Sequence, residues 1–166
     1  MKVTPDIPAK GVRSTLPSVG IEDRSIGVPA QAGDLADAFA KELRNSRVAA
    51  DVYYPQRPND PIDTTLETKF TLTVDPHQGS SFAKSFFTGF TLFLLEPAFW
   101  YDFDYALQGE VDVLKDGKRI KHAEGKADAT ISAKLFSLGE LPKLEQEALT
   151  QGKKVVFGQM INGITK

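Results

Sequence analysis

The sequence has no cysteine. That excludes disulfides, thiol nucleophiles and cysteine-ligated metals within this chain. Histidine is nearly as scarce, with His77 and His122 the only 2. Two isolated imidazoles without cysteine make a poor zinc site. Positive charge is not in excess: 20 Lys and Arg stand against 22 Asp and Glu, a net charge of -2. A chain so balanced has no global field to recruit nucleic acid. No apolar run reaches the roughly 18 residues of a membrane-crossing helix. The densest run, Phe86–Leu95, stops at Glu96-Pro97. Gly-x-Ser-x-Gly, glycine-rich phosphate loops and His-Glu-x-x-His are missing too. With them go the usual sequence marks of hydrolases, nucleotide-binding proteins and zinc proteases.

What is present reads as one domain with a leader. A chain of 166 residues, 41% hydrophobic and 25% charged, has an ordinary globular make-up and length for one sizeable core. Residues 1–33 carry Pro5, Pro8, Pro17 and Pro29 with Gly11, Gly20, Gly27 and Gly33. This composition predicts a flexible Pro/Gly-rich leader or tether, with at most a short strand around Ser18–Ile26. The folded domain is then expected over 34–166.

Within that domain the periodicities alternate between helix and strand. Asp34 and Asp37 suit a helix start, and Leu35, Phe39, Ala40 and Leu43 recur at helical spacing. This predicts a helix over 34–46. Val48–Tyr54 reads as a short strand, closed by Pro55, Pro58 and Pro61. From Thr65 to Val74, Leu66, Thr68, Phe70, Leu72 and Val74 alternate with polar residues, which predicts a strand with one wet face. Phe82–Leu95 is ambiguous between a short helical piece and an extended segment. Tyr101–Val113 alternates again, and Asp116-Gly117 marks a hairpin that returns to Ile131. A three-residue loop is preferred, with Val111 near Lys121, Leu107 near Gly125 and Tyr105 near Ala127, so that large residues face small ones. It also sets Glu110 across from His122. A two-residue loop would set Leu107 against Lys126 and Tyr105 against Asp128, a slip that turns charge into the core. Pro142 fits a first helical turn, and the stripe from Leu144 to Ile161 predicts a helix over 142–161, broken or kinked at Gly152. The fold class expected is α+β: a mostly antiparallel sheet with a long 101–131 hairpin, packed by two helices.

Candidate chemistry is thin. Asp102, Asp104, Glu110 and Asp112 form an acidic row on one strand face. Paired carboxylates can act as acid and base or hold calcium. The plainer reading is a solvated face balanced by Lys115, Lys118, Arg119 and Lys121. No catalytic, cofactor-binding or metal residue is assigned, and no cofactor is expected. The least ordinary feature is aromatic crowding between Phe82 and Tyr105. Most of these rings belong in a core. Those left outside it would mark a partner, lipid or oligomer surface, and Phe86, Phe87, Phe90, Phe93, Phe99 and Trp100 are the candidate interaction surface.

The order of these features carries a resemblance. A Pro/Gly-rich leader, the Leu35/Phe39/Leu43 helix, Val48-Ala-Ala-Asp-Val52, a Thr-rich strand and Thr88-Gly-Phe-Thr-Leu-Phe-Leu-Leu-Glu-Pro97 precede a long hairpin and a C-terminal helix. This resembles small proteobacterial periplasmic lipoproteins of poorly characterised function, over roughly Asp34–Ile164. The resemblance implies an α+β domain in the periplasm, tethered to a membrane by a lipidated Cys preceding residue 2. The expected function is a non-enzymatic cell-envelope lipoprotein domain, possessing no membrane span of its own, that binds an envelope protein or lipid through the aromatic run and sheet edge. The alternative is a module that binds a small molecule or acyl chain in an aromatic pocket.

Overall fold

The computed structural model describes residues 16–76, 101–133 and 139–166. Five strands form one sheet in the order β2-β1-β3-β4-β5. They are β1 (Leu16–Asp23), β2 (Ala49–Tyr53), β3 (Thr64–Pro76), β4 (Tyr101–Lys115) and β5 (Lys118–Ala133). Helices α1 (Leu35–Ser46) and α2 (Leu141–Thr165) cover one face. The α+β class and the two-helix architecture are as the sequence predicts.

The leader boundary needs correction. Leu16–Asp23, inside the expected leader and overlapping the short strand expected around Ser18–Ile26, is an interior strand with Val19 and Ile21 buried. Its hydrophobic signal is short because Gly20 interrupts it, and the reason is geometric. β1 pairs in parallel with β2 along Leu16–Gly20 and with β3 along Val19–Asp23. The loop from β2 to β3 therefore has only to step across β1 where the two pairings overlap. A Cβ on Gly20 would lie 2.6 Å from Gln56 Nε2 and Ile62 Cδ1 of that loop. Gly20 thus serves a crossing.

α1 begins where its sequence places it. The Asp34 carboxylate accepts from Asp37 N at 2.8 Å and satisfies a free N–H of the first turn. The same carboxylate accepts from the Tyr54 hydroxyl at 3.1 Å. Burial and that bond push the Tyr54 phenol up to about 12. Phe39 of α1, Phe70 of β3 and Phe157 of α2 meet at the centre, with ring centroids 5.4 to 6.2 Å apart. Tilted and edge-on rings at this spacing suit aromatic quadrupoles. Thr64 and Thr68 share the buried face of β3 with Leu66 and Phe70.

The hairpin differs from expectation in an informative way. Its loop has two residues, with Lys115 opposite Lys118 and both Asp116 (φ 51) and Gly117 (φ 73) left-handed. That is the loop type whose twist matches flanking strands. Left alone, it would send Lys126 and Asp128 into the core. Leu114 faces Arg119 but Val113 faces Lys121, so Ile120 is an extra residue in β5. The bulge restores the parity. Val111 lies opposite Ala123, Leu107 opposite Ala127 and Tyr105 opposite Ala129. The pairing of large with small side chains holds, two positions away from the predicted register. Asp112, not Glu110, faces His122.

α2 also departs from prediction. It runs unbroken through Gly152. The intervals 77–100 and 134–138 lie outside the described residues, and with them the ambiguous Phe82–Leu95 stretch and His77.

Candidate functional site

α2 rides along β5, and glycines decide how closely. A Cβ on Gly125 would lie 2.4 Å from the Val156 carbonyl oxygen, and one on Gly163 would lie 2.4 Å from Ala123 Cβ. The C-terminal half of the helix is therefore seated directly on the strand backbone. Met160, Ile161 and Ile164 are buried there, and Lys121 donates from Nζ to the Ile164 carbonyl at 3.0 Å.

Toward its N-terminus α2 parts from the sheet. Leu144 is exposed, and Ala148 and Leu149 are half-buried. A cleft of ≈ 1060 Å³ separates them from Leu72, Val74, Leu107, Ala127, Ala129 and Ile131. Ala127 and Ala129 create this space. They stand opposite Leu107 and Tyr105 on β4, where a larger residue would fill the gap. Tyr105 spans the cleft and donates its hydroxyl to the Glu145 carboxylate on α2. Burial and that hydrogen bond push the Tyr105 phenol upward, so it stays protonated across the ordinary pH range. Near the inner end, Lys153 of α2 donates to the Ala32 carbonyl at 2.6 Å, and burial pushes its pKa down.

The outer wall of the cleft is the edge of the sheet. Residues from Lys126 to Ser132 line it without a gap. Both faces of β5 alternate along that stretch, so the cleft reaches round the strand's free backbone. Lys126 N donates to Gln159 Oε1 at 2.7 Å, away from β4. Strand parity then turns the N–H groups of Asp128, Thr130 and Ser132 outward as well.

The structure treats the predicted residues unequally. Phe86, Phe87, Phe90, Phe93, Phe99 and Trp100 lie outside the described residues. The acidic row lies on the open face of β4, and Asp102, Asp104 and Asp112 have local partners. Ser132 Oγ donates to Asp102 and Thr130 Oγ1 to Asp104, each at 2.6 Å. His122 sits between Asp112 (Nδ1, 2.6 Å) and Glu124 (Nε2, 2.9 Å). These bonds, Glu124 first and Asp112 second, push its pKa above the ordinary 6.5. Among the described residues no group of three His, Asp or Glu side chains is arranged to hold a metal ion.

Sequence reasoning missed the Tyr105–Glu145 link; it offered a pocket lined by aromatics as an alternative, and Tyr105 is the aromatic residue among those lining the cleft. The available signal was the small residues Ala127 and Ala129 in β5. They predict close packing or a gap with equal force, and only the course of α2 decides between them.

No family model matches the sequence, and no curated protein matches it. Solved structures do match. One is a minor lipoprotein from Acinetobacter baumannii, 15% identical, with 89% of this chain and 87% of that chain covered and a TM-score of 0.45. A DUF330 protein from Xanthomonas campestris is 12% identical over 97% of this chain and 95% of that one, with a TM-score of 0.49. The rare lipoprotein B from Shewanella oneidensis is 13% identical over 81% and 86%, with a TM-score of 0.40. Each is a structure this chain is similar to.

Proposed function

We propose that this chain is a non-enzymatic cell-envelope lipoprotein domain that works by binding, with an envelope protein as partner and the α2–β5 cleft as the contact site. One observation carries the reading: a groove of ≈ 1060 Å³ with apolar walls, whose rim is a strand edge unpaired by any strand among the described residues. Grooves of this kind bury apolar side chains of a partner while the rim supplies hydrogen bonds. Tyr105 in the cleft and His122 on the open face both stand in structural bonds. Tyr105 is bound to Glu145, and both ring nitrogens of His122 are bound by carboxylates. The envelope location and the lipid tether rest on the sequence resemblance.

A photo-activated crosslinker at Leu144, on the cleft rim, tests this in cells, with Ile120 at the hairpin tip as the control site. The expected result is one defined envelope-protein adduct from position 144 and none from 120. Adducts to lipid alone, or no adduct from 144, overturn the reading. The apolar volume also favours a second reading, an acyl chain held in the cleft. Native mass spectrometry of protein taken directly from membranes checks it, since only empty protein would sink the acyl-chain reading.

A further inference from the structure

β5 is an edge strand, and its two halves are built differently. The half nearest the turn carries the usual guards of an edge: Lys118, Arg119 and Lys121, with the Ile120 bulge among them. α2 continues the protection, seating on Gly125 and closing the outward Lys126 N–H with Gln159. Beyond Lys126 the guards stop. The stretch Ala127–Ile131 reads Ala-Asp-Ala-Thr-Ile, with one charge and no proline or bulge. Among the described residues, nothing from α2 hydrogen-bonds the outward N–H groups of Asp128, Thr130 and Ser132. Three such groups in register, beside an apolar groove, are a template for one more strand.

The charge around the template has a sign. On the open face, Asp102 and Asp104 stand opposite Ser132 and Thr130, and Asp128 follows on β5 itself. Glu145 and Glu147 lie on the α2 side of the groove. Lys126, 3.4 Å from Asp128, is the basic residue on β5 at this end of the groove.

Building on the cleft reading above, we propose that Asp128–Ser132 takes up an extended segment of the partner protein as a sixth strand. Alternate apolar side chains of that segment enter the groove over Ala127, Ala129 and Ile131. Intervening basic side chains lie beside Asp128 on the open face of β5. A segment of roughly seven residues, about 23 Å extended, spans the template.

The test uses a peptide of that length with alternating valine and lysine, read by fluorescence anisotropy against the whole domain. The expected result is binding that weakens at least about tenfold when the amides facing β5 are N-methylated. Replacing the peptide lysines with glutamate, and Asp128→Lys in the domain, weaken it too. Thr130→Pro removes one outward N–H at a position where an edge strand tolerates proline, and lowers affinity without loss of fold by circular dichroism. Equal binding by the N-methylated peptide overturns strand addition and leaves cleft binding standing. No binding of either peptide while the position-144 adduct persists overturns this proposal alone. A dimer of the domain that Thr130→Pro dissolves also overturns it, because a second copy then occupies the edge.

Discussion

Gly125 and Gly109 both lie under α2, yet alanine at each meets different neighbours. At Gly125 the new Cβ faces the Val156 carbonyl oxygen at 2.4 Å, fixed by the helix backbone. At Gly109 it faces Met160 Sδ at 2.6 Å, the flexible part of a side chain. Gly125→Ala must therefore push the helix off the strand, at a cost of about 1–3 kcal/mol or more. Val156 Cγ1 at 2.8 Å and Phe70 Cε1 at 3.0 Å crowd it too, but all three are side-chain atoms, so Gly109→Ala should cost less than a clash with helix backbone. Urea denaturation of the two variants checks the order, and equal midpoints would contradict it. His122 gives a pH prediction at the same scale. Its pKa is raised in the folded state by Glu124 and Asp112. Its contribution to stability is therefore full below the unfolded value of 6.5 and fades as pH rises through the folded pKa. Proton NMR titration should find that pKa above 6.5, and Glu124→Gln should bring it down. A value unmoved by the substitution would show that the Glu124 bond does not set it.

At the scale of elements, the hairpin and α2 separate what sequence carries from what it does not. The buried face of β4–β5 was legible, because Leu107, Val111 and Val113 alternate with polar residues. The register was not, because Asp116-Gly117 permits both loop lengths and a bulge leaves no local signature. Ile120 is 55% exposed, the one apolar residue of β5 left in water. Ile120→Ser should therefore change stability by no more than about 0.5 kcal/mol. Deleting Ile120 should leave cooperative unfolding intact, since Lys121 then follows Arg119 and still pairs with Val113, so the pairs beyond it keep their register. A deletion variant that loses its melting transition would contradict the bulge. Gly152 misled for a related reason. Low helix propensity reads as a break, but 25 residues of helix with a buried face override one glycine. A Cβ there would meet Leu107 and Ala127 at ordinary contact distances of 3.7 and 3.8 Å. Gly152→Ala should thus stabilise the domain by up to about 1 kcal/mol, the reverse of Gly125→Ala. Thermal melting decides the sign. β1 was the larger loss. Its interior place depends on a loop crossing over Gly20, and that is a property of the chain path, not of any window of residues.

At the scale of the molecule, the sheet is covered on one face by helices that do not reach its far corner. α1 packs over β1 and β2, and α2 over β4 and β5. Where α2 parts from the sheet, Tyr105 and Glu145 prop the gap, and the free edge of β5 lies beside it. This corner was out of reach of sequence reading because its apolar lining, Leu72, Leu107, Ala127 and Ala129, also suits an ordinary core. The central claim is that the protein binds its partner here. Hydrogen–deuterium exchange of the domain, alone and docked on envelope membranes, measures that directly. The expected result is new protection confined to residues 126–132 of β5 and the first two turns of α2. Protection on the open face of β3, or none anywhere, would contradict it.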